Sequence, residues 1–145
     1  MTRIHPSAVI DDRAQIDESA EVGAFCVVDG PVKIGPRCKL HAHATVMGHT
    51  TLGAGNVVFP GAVIGAEPQD LKHHGETVEL VIGDDNRFRE HVTVHPGTEA
   101  GGSLTKIGSG GLFMVGCHVA HDCMVGNQVI LANHVLLAGH ARVGV

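Results

Sequence analysis

Twelve histidines stand in a chain of 145 residues that has only ten Lys plus Arg. Imidazole titrates nearest neutral pH, so it suits two tasks, general base work and metal binding. Four of the twelve fall in short polar-rich stretches. His95 ends T-V-H, His118 and His121 bracket H-V-A-H, and His140 closes L-A-G-H. As a metal set, His118, His121 and His140 could give imidazoles to zinc, although no Cys joins them in a closed structural pattern. As catalytic groups, the same residues could take a proton from a substrate. Asp122 follows His121 and is a candidate to orient it. If the pair lies in a strand, however, adjacent side chains point to opposite faces. Gly139 precedes His140, and two readings stay open for it: a backbone N–H facing an oxyanion, or an ordinary turn glycine.

Residues this far apart need a scaffold that stacks them, and the sequence supplies one. From Ile4 every sixth residue is aliphatic: Ile10, Ile16, Val22, Val28, Ile34, Leu40, Val46, Leu52, Val58 and Ile64. The phase returns at Ile82, Phe88 and Val94, and resumes one residue later from Ile107 to Val143. Four residues after most marks stands a small or uncharged residue, among them Ala20, Cys26, Cys38, Ala44, Cys117 and Cys123. Period six matches neither a helix nor a simple alternating strand. It predicts an all-β fold, a parallel β-helix of hexapeptide repeats with about seven coils as one domain over residues 1–145. Three hexads close one triangular coil, with coils ~4.8 Å apart.

Two polar segments break the count, one at about 68–81 (PQDLKHHGETVELV) and one at about 98–106 (TEAGGSLTK). Insertions in solenoids project as loops, often on the binding face. No histidine occupies an inward position. If the second loop replaces no hexad, Val94 stacks on Val119 and Val119 on Leu137. His95, His118, His121 and His140 then share one outward strip beside both loops. The other eight histidines, including His73 and His74 in the first loop, read as solvated surface residues or subunit contacts.

Composition narrows the class. There is no Trp, no Tyr and only four Phe, as expected of a thin prism filled by aliphatic ladders rather than an ordinary aromatic-rich core. Apolar residues make up 43%, too many for disorder. No apolar run approaches the ~18 residues of a membrane span, and the first ten residues lack the apolar run of a secretory signal. A net charge of −5 with scattered cations disfavours nucleic acid. Four cysteines in the inward slot, without C-x-x-C, point to a reduced, cytoplasmic protein. The last hexad opens at Val143 and stops at Val145, which reads as the front section of a longer β-helix.

Several stretches carry a resemblance. H-V-A-H-D-C-M-V-G-N (118–127), L-A-G-H (137–140) and P-Q-D-L-K-H-H-G-E (68–76) resemble the UDP-N-acetylglucosamine acyltransferases of lipid A biosynthesis. So do I-G-D-D-N-R-F-R-E (82–90), T-V-H-P-G-T (93–98) and G-G-S-L-T-K-I-G (101–108). The match runs through essentially the whole chain in order, both loops included.

The resemblance implies a left-handed β-helix, a homotrimer with sites between neighbouring subunits, and no cofactor. It implies transfer of an (R)-3-hydroxyacyl group from acyl carrier protein to the 3-hydroxyl of UDP-N-acetylglucosamine. The family's base falls on His121 and its oxyanion-hole amide on Gly139. Its nucleotide-sugar contacts fall on Gln69, Asp70, Lys72, His95, His118 and His140, with Asp70 and Lys72 reaching across the interface. Further coils and a helical domain, which carry acyl-chain and carrier-protein contacts, are implied beyond Val145. Two other readings stand beside this one. The first is a zinc enzyme of the γ-carbonic-anhydrase kind, which gives the Q-D-L-K loop no task. The second is an inactive trimerising β-helix.

Overall fold

Hexads fold into short strands because each carries one large apolar residue, a turn and a small inward residue. In the computed structural model, which describes residues 3–145, every marked hexad forms such a strand. The strands assemble into three parallel sheets of seven. Each coil visits the three sheets in turn, giving a left-handed parallel β-helix of about seven coils. Registers match the six-residue count. Leu40 pairs with Val58, Val58 with Phe88, Phe88 with Phe113, and Phe113 with Leu131. Among the described residues, no helix is long and apolar enough to cross a membrane.

The core is the stack of marks and small slots. Val28, Leu40, Val46, Leu52, Val58, Ile64, Phe88 and Phe113 are all at most 1% exposed. Phe88 and Phe113 stack with ring centroids 4.8 Å apart, so the two fully buried phenylalanines occupy one ladder. The four cysteines are free and buried in the small slot, as expected. Their thiols point at carbonyls of the next coil, for example Cys38 Sγ at Gly53 O (2.9 Å). Burial pushes these thiols up, which keeps them protonated.

Polar residues in that slot are buried with partners, as low dielectric demands. Asn56 Oδ1 accepts from Asn86 N (2.9 Å), and Asn86 Oδ1 accepts from Gly111 N (2.8 Å). Asn86 Nδ2 donates to Gly108 O (2.9 Å). An asparagine ladder thus replaces aliphatic packing at one corner.

Both insertions leave from the same corner, between the second and third sheets. The first separates Val63–Ile64 from Glu79–Ile82, and the second separates Thr93–Val94 from Leu104–Ile107. The strands that end them begin earlier than the repeat count indicates. Glu79 and Leu80 pair with His49 and Thr50 on one side and with Leu104 and Thr105 on the other. The ladder that fixes these residues lies between coils, beyond the reach of a hexad count.

Candidate active site

The corner that carries the loops also carries the histidines. His95 follows the strand Thr93–Val94, His121 follows His118–Val119, and His140 follows Leu136–Leu137, on successive coils of one sheet. Register therefore brings together residues up to 45 positions apart. His95 and His118 meet edge to face at 4.7 Å between centroids. His121 and His140 do the same at 5.2 Å, and His140 N donates to His121 O (3.0 Å).

Asp122 meets the His121 ring despite the strand expectation. His121 and Asp122 lie in the turn after the strand, and Asp122 has φ +61°. That left-handed kink turns its carboxylate back beside the imidazole instead of to the opposite face. Asp122 Oδ2 stands 2.8 Å from His121 Nδ1. The Asp122 side chain is buried, whereas that of His121 is partly exposed. Burial alone would raise the Asp122 carboxyl. The bonds from Thr98 and His121, with the nearby His140, outweigh burial and hold it below its ordinary value. An ionised carboxylate only accepts, so it assigns the proton to Nδ1 and leaves the Nε2 lone pair of His121 free.

Gly139 packs against that free edge. A Cβ at this position would run into Cε1 and Nε2 of His121. Among the described residues, no hydrogen bond takes up the Gly139 N–H. The glycine is therefore required by close approach to the His121 ring.

His95 is buried rather than solvent-facing, although its sequence position is outward. Burial foremost, then the nearby His118 and His121, push it down to about 4. His118 is also lowered, again chiefly by burial, and its Nδ1 lies 2.7 Å from Thr93 Oγ1. Neutral imidazoles therefore flank His121. His140 is the exposed member of the group.

The first loop supplies the remaining predicted residues. Gln69 and Lys72 are exposed. Asp70 Oδ1 accepts from Lys72 N (2.9 Å). That bond foremost, then the charges of Lys72 and His121, lower the Asp70 carboxyl. His73, expected at the surface, is instead buried in this loop between Glu67 and Glu76.

Ligand atoms of His121, Asp122 and His140 lie within 4.8 Å of one another. This is a different triad from His118, His121 and His140, because His118 turns its Nδ1 to Thr93. Within it, Asp122 Oδ2 is already occupied by Thr98 Oγ1 and His121 Nδ1. That occupancy suits an orienting carboxylate better than a metal ligand.

A left-handed β-helix with a carboxylate-held imidazole at one corner, from which two loops leave, defines a hexapeptide-repeat protein. Comparison with known proteins narrows the class. No protein-family model matches the chain. An acyl-[acyl-carrier-protein]–UDP-N-acetylglucosamine O-acyltransferase of Psychrobacter sp. (strain PRwf-1) is 49% identical over 125 residues, covering 86% of this chain and 48% of that protein. The solved Acinetobacter baumannii homologue superposes with TM-score 0.94 at 46% identity, over 96% of this chain and 54% of that one. The Moraxella catarrhalis UDP-N-acetylglucosamine O-acyltransferase gives TM-score 0.95 at 45% identity, over 97% and 55%. The chain belongs to the UDP-N-acetylglucosamine acyltransferase family and spans about half the length of the relatives it matches.

Proposed function

We propose that this chain carries the catalytic corner of an enzyme that moves an (R)-3-hydroxyacyl group from acyl carrier protein to the 3-hydroxyl of UDP-N-acetylglucosamine. The observation that carries the reading is the His121–Asp122 pair with Gly139 against the ring. An alcohol attacks a thioester poorly until a base takes its proton. His121 Nε2 takes that proton as the sugar oxygen bonds to the thioester carbonyl carbon. The resulting imidazolium is stabilised by Asp122. The oxyanion of the tetrahedral intermediate is met by the Gly139 N–H. When the carbonyl re-forms, the C–S bond breaks and the imidazolium returns its proton to the departing sulfur. No acyl-enzyme is needed, because the corner presents no nucleophilic Ser or Cys.

The remaining residues bind. Lys72 supplies a point charge for the diphosphate, while Gln69, Asp70, His95, His118 and His140 surround the nucleotide sugar. His95 and His118, held neutral, offer hydrogen bonds without placing cations beside the base. In this reading the protein is a cytoplasmic homotrimer acting at the first step of lipid A biosynthesis.

Acyl transfer from hydroxyacyl carrier protein to UDP-N-acetylglucosamine, followed with and without EDTA, tests the reading. We expect EDTA-resistant transfer that falls about 10²–10⁴-fold in His121→Ala, the usual worth of a positioned base. Unchanged transfer in the variant removes His121 from the base role. Loss with EDTA would favour a metal on the triad of His121, Asp122 and His140.

A further inference from the structure

The second insertion ends one coil below Asp122, and three hydrogen bonds join the two. Thr98 Oγ1 donates to Asp122 Oδ2 (2.6 Å) and Thr98 N donates to Asp122 Oδ1 (2.9 Å). Thr105 Oγ1 accepts from Asp122 N (2.8 Å). Thr98 Oγ1 also accepts from Gly101 N (3.2 Å), so its hydroxyl is fully used. Thr98, Thr105 and Asp122 are all buried, at 2%, 0% and 6% exposure. Thr98 is held in turn by the short turn of helix it caps, Glu99–Gly101, whose closing Ser103 N donates to Thr98 O (2.7 Å). A side chain at Gly101 would strike the Asp122 carboxylate, so the loop closes directly over it.

Thr98 thus engages both oxygens of the Asp122 carboxylate, and a second lobe of Oδ2 meets His121 Nδ1. A carboxylate free to rotate in its buried slot would offer His121 either oxygen, or neither, and the imidazole would lose its fixed tautomer. We infer that Thr98 is a positioning residue for the base, acting through Asp122, and that the second insertion exists to bring its hydroxyl and amide there. Its role is mechanical: it fixes the carboxylate that fixes the ring. The inference rests on His121 being the base, as proposed above.

The test pairs Thr98→Val, which keeps shape and removes the hydroxyl, with Thr98→Ser, which restores it. Both are made in the full chain. Transfer kinetics should show kcat down about tenfold in Thr98→Val, with KM for the nucleotide sugar within about twofold and Thr98→Ser close to the parent. Ring ¹⁵N spectra of His121 provide a readout that needs no turnover. The parent should show the Nδ1–H tautomer, Thr98→Val a mixture of tautomers, and Thr98→Ser the parent pattern. An unchanged tautomer in Thr98→Val overturns the inference, as does a valine variant whose kcat equals the parent's. So does equal loss in valine and serine variants, which would mark a general folding role. A chain that transfers no acyl group yet shows the tautomer shift leaves the Thr98 coupling standing and removes the function reading instead.

Discussion

At the scale of single residues, the site is a set of imidazoles in unlike surroundings. His95 is the extreme case, buried and pushed to about 4. Its unfolded value is near 6.5, so between these two values the unfolded chain binds more protons than the folded one. Stability is therefore complete above about pH 7 and is lost as pH falls from ~6.5 toward ~4. Across the whole window the loss attributable to His95 is on the order of 3 kcal/mol. Urea unfolding at pH 7.5 and pH 5 should show a steeper drop in the parent than in His95→Gln, which cannot titrate; equal drops would show that His95 is solvated. The grouping of the four histidines was legible from repeat phase alone, because register in a β-helix is arithmetic. The burial of His95 was not, since loop coverage is invisible to a hexad count. Asp122 stood as a candidate partner of His121, but the left-handed turn that brings it there was not legible, and Thr98 was missed because it lies 24 residues from its partner behind an insertion. Asp after a strand, with small polar residues in a nearby loop, was the available signal.

At the scale of elements, both insertions are built on internal anchors rather than left free. In the first loop the anchor is His73, whose side chain is only 4% exposed while Leu71, two residues earlier, is 95% exposed. His73 Nε2 lies 3.6 Å from Glu67 Oε1, and Nδ1 lies 3.1 Å from Glu76 Oε2. The Glu76 contact is not a hydrogen bond, so packing between the two glutamates, more than directed bonding, holds the ring. The loop backbone folds over it through His73 N donating to Asp70 O (2.9 Å). Removing the ring should release the loop locally and leave the coils intact, because stability in such folds is not uniform. In His73→Ala, amide exchange at Lys72, whose N–H bonds to Asp70, should accelerate about tenfold or more, while the amide of Val94 in the neighbouring strand stays protected. Acceleration of both amides would mean that the loop is part of the global fold. The loop's existence was legible from the broken period. Its buried anchor was not, since nothing in P-Q-D-L-K-H-H-G-E distinguishes His73 from His74.

At the scale of the whole molecule, the β-helix is a one-dimensional stack in which each coil contacts only its neighbours. The near absence of aromatics was read from composition as a narrow prism, and the fold shows the exception that fits it: Phe88 and Phe113 lie flat on one another at an interplanar angle of 11°. Flat stacking lets two rings occupy the thickness of two coils without widening the triangle. Phe113 also supports Leu131 on its other side, so it links three consecutive coils. Leu137, by contrast, lies in the last pair of its sheet and is only partly buried. Phe113→Ala should therefore cost about 3–5 kcal/mol, the range for a fully buried ring replaced by a cavity, and Leu137→Ala distinctly less. Because the cavity interrupts nearest-neighbour coupling, Phe113→Ala should also lower the denaturant m-value as the two halves of the stack begin to unfold separately. Urea titrations followed by far-ultraviolet circular dichroism and by exchange at Val46 and Val125 amides read both effects. Coincident transitions at both amides with an unchanged m-value would show that the coils unfold as one unit and that the ladder does not set cooperativity.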